Sequence, residues 1–268
     1  MYYNGFPGKL QLFSGDSVKI LPSPVKRFDK PPGVRYNLIE YLIEKSNTMK
    51  TYKAVIFDLD GTLLDTLADL ADGVNIALGM HGMPLRSLDE VRMAIGNGVV
   101  KLIERVVPEG QNNPEFEACL ADFRREYAKI SRNKTCPYEG IPDLLARLDA
   151  AGIRMAVVSN KFHDATVELV KEFFPIIHFA AGERESAGIR KKPAPDTVFL
   201  AMEAFGVTAE ECVYIGDSDV DIETAKNASM DCISVTWGFR DRDFLTAHGA
   251  SVFADTPARL AEMLLRAE

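Results

Sequence analysis

From residue 53 onward, short apolar runs alternate with longer stretches whose apolar residues recur every three or four positions. The runs at 53–57 (KAVIF), 154–159 (RMAVVS), 212–216 (CVYIG) and 232–235 (CISV) predict strands. Each is rich in β-branched residues with little polar alternation, as expected where both faces of a parallel sheet are covered. Residues 178–182 (HFAAG) predict a weaker fifth strand. Between them lie helical patterns. Residues 141–152 place Ile141, Leu144, Leu145 and Leu148 on one face, with Gly152 as the stop. Residues 196–206 repeat that design, with Asp196 as a candidate N-cap and Gly206 at the end. This alternation predicts an α/β fold built on a doubly wound parallel sheet.

Residues 66–135 break the rhythm, with helix-like stretches and no convincing strand. They read as a helical insert after the first strand, which leaves 49–65 and 136–268 as the α/β core. In an open α/β sheet, chemistry sits at the carboxyl ends of the strands. An insert leaving from one of those ends would lie over the site as a lid, and Asp65 would cap its first helix. Residues 1–48 contain a proline-rich stretch without periodicity (LPSPVKRFDKPPGV, 21–34). They are expected to be a poorly ordered extension outside the fold, or an upstream start before a natural Met49.

With 268 residues, 47% apolar and 26% charged, the composition is that of an ordinary globular chain. Net charge is −8, of which residues 1–48 carry +3, so the remainder carries −11. Such a balance argues against nucleic acid or an anionic membrane as partner. No apolar run approaches the roughly 20 residues of a membrane span, and no signal peptide is recognisable. Cys119, Cys136, Cys212 and Cys232 are far apart with no CxxC pair, so reduced thiols in a cytoplasmic protein are expected. His81, His163, His178 and His248 lack metal-ligand spacing and read as structural or surface residues. The oligomeric state, monomer or homodimer, stays open.

Polar residues gather at the strand ends. The first strand runs into Asp58, Asp60, Gly61 and Thr62, and the second into Ser159, Asn160 and Lys161. Lys191 and Lys192 precede a later helix, and the strand at 212–216 runs into Asp217, Asp219 and Asp221. Alone, each piece is an ordinary turn or cap. In order, on successive strand ends, they suggest a site. Asp58 and Asp60, two apart in extended chain, point to one side. One could act as nucleophile and the other as general acid and base, if their surroundings separate their pKa values. Clustered carboxylates repel each other, and a phosphate ester brings about two more negative charges. A hard divalent cation would compensate. Mg²⁺ fits, with Asp58 and Asp217 as ligands and Asp221 close behind. Lys192 adds fixed positive charge, and Ser159 and Asn160 supply donors to phosphoryl oxygens. An EF-hand is excluded because the acids come from distant segments.

The stretches DLDGT, VVSNK, KKPAPD and GDSDVDIETAKNA resemble the four motifs of the haloacid dehalogenase-like hydrolase superfamily, specifically its phosphatases, over about residues 52–265. The resemblance implies that Asp58 attacks phosphorus, forms an aspartyl phosphate and holds Mg²⁺. Asp60 would protonate the leaving oxygen, then activate water, with its backbone carbonyl on the metal. Thr62 would help hold Asp60, Ser159 and Asn160 would contact the phosphoryl group, and Lys192 would steady its charge. Asp217 would be a metal ligand and Asp221 would stand just behind it. The second aspartate favours phosphatase over dehalogenase, since an alkoxide needs a proton on leaving.

The insert resembles the helical cap that falls between the first two motifs. Residues 65–84 and 91–107, with VTWGFR at 235–240, are most similar to phosphoglycolate phosphatases, which implies conversion of 2-phosphoglycolate to glycolate and phosphate. Gly96 and Gly98 would let backbone come close to the bound acid. Ser229 departs from the pattern, which often has glycine there. Alternatives are a phosphatase for a nucleotide, sugar phosphate or pyrophosphate, a phosphosugar mutase, or a phosphate-sensing binding module. The mutase is disfavoured because the stretch at 65–73 lacks histidine, and the sensor because both Asp58 and Asp60 are present.

Overall fold

The computed structural model describes residues 51–265, so the reading of residues 1–48 lies outside it. Six strands form one parallel sheet: β1 (Ala54–Phe57), β4 (Arg154–Phe162), β5 (Phe179–Glu183), β6 (Cys212–Gly216), β7 (Asp231–Val235) and β8 (Phe253–Ala254). Their order is β5-β4-β1-β6-β7-β8, every neighbouring pair parallel. The central strand β1 is fully buried, and its period of two feeds both layers. Val55 and Phe57 join Leu144, Leu145 and Leu148 of α5 (Ile141–Ala150), Leu169 and Val170 of α6 (His163–Phe173), and Leu260 and Leu264 of α10 (Pro257–Leu264). Ala54 and Ile56 join Val198 and Ala201 of α7 (Asp196–Phe205) and Ala225 of α8 (Asp219–Asn227) on the other face. Each fully buried Val, Ile or Phe contributes about 1.5–3 kcal/mol, an upper estimate against an extended chain. β1 is therefore a stiff mount for whatever follows Phe57. The topology reverses at β1, which has β4 on one side and β6 on the other, and this is where an open sheet leaves its crevice.

Between β1 and β4 come four helices, α1 (Leu67–Met80), α2 (Leu88–Ala94), α3 (Val99–Val106) and α4 (Phe116–Ile130). They share an apolar cluster of their own, including Val74, Leu78, Val91, Ile103, Leu120 and Phe123. A two-residue antiparallel ladder joins the chain entering and leaving them, β2 (Leu64–Asp65) against β3 (Cys136–Pro137). Beside it, the fully buried Asp69 accepts from the Lys134 and Thr135 backbone N–H groups and from the Thr135 hydroxyl, at 2.8–3.1 Å. His81 ties the first of these helices to the last, with its ring between Glu115 and Asp122 at 3.1 and 2.9 Å.

Several local expectations are corrected. β4 continues to Phe162, with an irregular register between Val158 and Phe162, because the polar Ser159, Asn160 and Lys161 stay in extended backbone. Pro195, not Asp196, is the N-cap of α7, while Asp196 is spent on Arg190, whose Nε and Nη2 reach it at 3.0 and 2.6 Å. Asp65 accepts from the Leu67 N–H at 3.2 Å, but the N-cap position of α1 belongs to Thr66. Strands as short as β8 and the β2–β3 ladder have no periodicity to read. Ser229 lies just beyond α8 at φ 55°, the left-handed region where a Cβ is costly. Ser229→Gly is expected to raise stability by about 0.5–1 kcal/mol without touching activity, read as a higher urea midpoint at unchanged slope.

Candidate active site

Asp58 follows β1 directly, and its N–H continues the ladder by donating to the Ile215 carbonyl at 2.9 Å. Asp217 follows β6, and Asp221 sits in the first turn of α8. Carboxylate oxygens of Asp58, Asp217 and Asp221 lie within 4.8 Å of one another. All three are buried, as is Lys192 at 4% exposure. The Lys192 ammonium reaches Asp58 Oδ1 at 2.8 Å and Asp221 Oδ1 at 2.7 Å. Asp58 Oδ1 also accepts from the Leu59 N–H at 2.7 Å. Asp221 Oδ2 accepts from the Ser218 hydroxyl and N–H, so it is fixed by the same capping box that starts the helix. Asp217 accepts from the Thr62 hydroxyl at 3.1 Å and from the Phe239 N–H at 2.7 Å. Gly238 allows that last approach, because a Cβ there would collide with the Gly61 carbonyl and the Asp217 carboxylate.

Asp60 stands apart from this cluster. Both its oxygens accept from Lys161 Nζ at 3.1 Å, and the same ammonium donates to the Tyr127 hydroxyl of α4 at 3.0 Å. Thr62 therefore serves Asp217 rather than Asp60, contrary to the reading from sequence. Asn160 has a partner that the sequence does not indicate. Its amide clamps the backbone of Lys192, donating to the carbonyl at 3.0 Å and accepting from the N–H at 2.8 Å. It positions the lysine, and Asn160 also lines the cavity. The Ser159 hydroxyl accepts from the Lys161 N–H at 3.2 Å and lines the cavity.

That cavity measures about 250 Å³, with Asp58, Asp60, Ser159, Lys192 and Asp217 on its floor and Leu70, Phe123 and Tyr127 of the inserted helices above. Gly96 (φ 117°) and Gly98 (φ 87°) carry the loop between α2 and α3 along its wall. Two residues that sequence reasoning left without a role stand out. Lys161 was quoted within VVSNK but given no partner. Arg240, within VTWGFR, is 8% exposed and donates to three backbone carbonyls at the end of α2: Arg92 at 2.8 Å, Met93 at 3.3 Å and Ile95 at 2.6 Å. It donates to carbonyls at a helix end, and so ties the insert to the loop that also holds Asp217. Their signal in the sequence was a cation in an otherwise apolar or glycine-rich setting.

A family model of haloacid dehalogenase-like hydrolases matches residues 55–235. The chain belongs to this family. Among its relatives, the phosphoglycolate phosphatase of Pseudomonas syringae pv. tomato is 31% identical over 227 residues, covering 81% of this chain and 79% of that one. The N-acetylmuramic acid 6-phosphate phosphatase of Pseudomonas aeruginosa is 31% identical over 220 residues, covering 80% and 96%. A crystal structure from Lactobacillus delbrueckii subsp. bulgaricus, provisionally named a phosphoglycolate phosphatase, is 40% identical, with TM-score 0.77 over 80% of this chain and 99% of that one. Family and relatives together make the protein a phosphoric monoester hydrolase. Among the described residues, no helix is long and apolar enough to cross a membrane.

The haloacid dehalogenase-like site has the donor set of a hard cation: buried carboxylates, converging, with too little positive charge nearby. Burial first, and Asp221 second, push Asp217 up to about 7. Burial and Asp221 also hold Asp58 well above the usual carboxylate range, although Lys192 pulls the other way. Between the ordinary carboxylate range and about pH 7, the metal-free native state thus binds protons that the unfolded chain has released. Stability of the metal-free protein falls as pH rises through that window. Its thermal midpoint is expected to be higher at about pH 5 than at about pH 8, and a divalent cation should raise the midpoint more at the higher pH. A scan with and without chelator checks this; equal stabilisation at both pH values would contradict it.

Proposed function

We propose that the protein is a Mg²⁺-dependent phosphatase for a small phosphomonoester, 2-phosphoglycolate above others, acting in the cytoplasm through an aspartyl phosphate. The observation that carries this reading is the separation of two neighbouring carboxylates into different surroundings. Asp58 faces Lys192, Asp217 and Asp221, whereas Asp60 is turned onto Lys161. Among the described residues, Asp58 Oδ1 has two donors and Oδ2 none, which leaves one oxygen to attack phosphorus in line. Asp60 gives a proton to the leaving oxygen and later takes one from water, a division of roles that distinct environments make possible. Lys192 and the Ser159 hydroxyl face the transferring phosphoryl group, and Asn160 keeps Lys192 in place. Asp58, Asp217 and the Asp60 carbonyl would hold Mg²⁺, with Asp221 behind them. The ion would supply charge neutralisation for the carboxylates and the phosphoryl oxygens.

A small ester fits this cavity of about 250 Å³, which adjoins a larger one of about 640 Å³ that shares Gly98, Val99, Arg124, Asn160 and Phe162 with it. Gly96 and Gly98 bring backbone to its wall, where a compact acid would sit. A phosphate-release screen over small phosphoesters, with and without Mg²⁺, tests the reading. The highest kcat/KM is expected for 2-phosphoglycolate, and Asp58→Asn is expected to lower it by about a thousandfold or more. No release from any ester would overturn the enzyme; faster turnover of nucleotides or sugar phosphates would overturn the substrate.

A further inference from the structure

Four cationic side chains line the cavity: Arg124, Lys161, Lys192 and Arg240. Lys192 is committed to Asp58 and Asp221, and Arg240 to backbone carbonyls at the end of α2. Arg124 is exposed and lies over the Phe162 ring at 5.6 Å. Lys161 is different. It is buried at 9% exposure, it lies beside Asp60, and its remaining contact is with Tyr127 of the insert.

A substrate carboxylate entering a largely apolar pocket needs a counter-charge there, because burying it unpaired is costly. We infer that Lys161 is that counter-charge: it selects esters whose carboxylate sits on the carbon bearing the ester oxygen. This rests on the phosphatase reading above, with Asp60 as proton carrier. The argument is geometric. Asp60 must contact the ester oxygen, and Lys161 Nζ is 3.1 Å from both Asp60 oxygens. In a 2-phosphoryloxy acid, the carboxylate oxygens lie about 3 Å from the ester oxygen by ordinary bond lengths. The substrate's acid group and Asp60 therefore fall within reach of one ammonium. When Asp60 turns to the ester oxygen it gives up at least one contact to Lys161. The substrate carboxylate takes the freed donor, and the buried cation keeps a negative partner throughout. Tyr127 holds the ammonium from above, so the insert contributes to the choice of substrate through this hydroxyl. An ester with an apolar group in place of the carboxylate leaves the freed donor without an acceptor.

The test compares kcat/KM for 2-phosphoglycolate with that for ethyl phosphate, in which a methyl group replaces the carboxylate. The unmodified protein is expected to prefer the acid by about tenfold or more. Lys161→Met is expected to lower both values, since Asp60 loses its partner, but to reduce the acid-to-neutral ratio by about tenfold. If both substrates fall together, Lys161 serves Asp60 alone and the inference is overturned. Should Lys161→Met not fold, Tyr127→Phe reads the same contact, with a fall in the ratio of about threefold expected and an unchanged ratio overturning it. Failure of the unmodified protein to release phosphate from 2-phosphoglycolate would instead overturn the substrate reading, and this inference with it.

Discussion

Three carboxylates, those of Asp58, Asp217 and Asp221, share one buried space with a single ammonium from Lys192. Much of the surrounding architecture serves that charge imbalance. Thr62 and the Phe239 N–H hold Asp217, Ser218 holds Asp221, and Asn160 fixes the backbone of Lys192. Like charges this close cannot all ionise without compensation, and burial makes the conflict worse. The fold tolerates the conflict because β1 and β6 are anchored by fully buried apolar residues on both layers. The same imbalance makes the site a trap for a hard cation and for the chemistry that such a cation assists.

The strand pattern and the acids at the strand ends were legible because both are local. β-branched runs, their flanking glycines and the spacing of Asp58 and Asp60 can be read within a few residues. Side-chain partners could not be read that way. Thr62 bonds Asp217 across 155 positions, and Lys161 meets Asp60 across 101. No spacing rule connects such residues, because only the parallel pairing of β4 and β6 with β1 brings them together. Asn160 shows the limit most plainly. A terminal amide beside a phosphate site reads as a donor to the ligand, but its grip on the Lys192 backbone, 32 positions away, leaves no trace in the local sequence.

Sheet and insert divide the work. The sheet edge gathers Asp58, Asp217 and Asp221 and brings the Lys192 ammonium against them. The inserted helices supply apolar walls, the loop bearing Gly96 and Gly98, and the Tyr127 hydroxyl. Among the cations that link them, Arg240 acts through carbonyls of α2, Lys161 through Tyr127 and Arg132 through Glu168 and Glu172 of α6.

The central claim is that Asp58 becomes covalently phosphorylated during turnover. Acid quenching of the protein while it hydrolyses 2-phosphoglycolate, followed by peptide mass spectrometry, tests it most directly. The account predicts one added phosphoryl group on the peptide containing Asp58, absent when Asp58→Asn is treated alike. Phosphate released at full rate with that peptide unmodified at every quench time would contradict it.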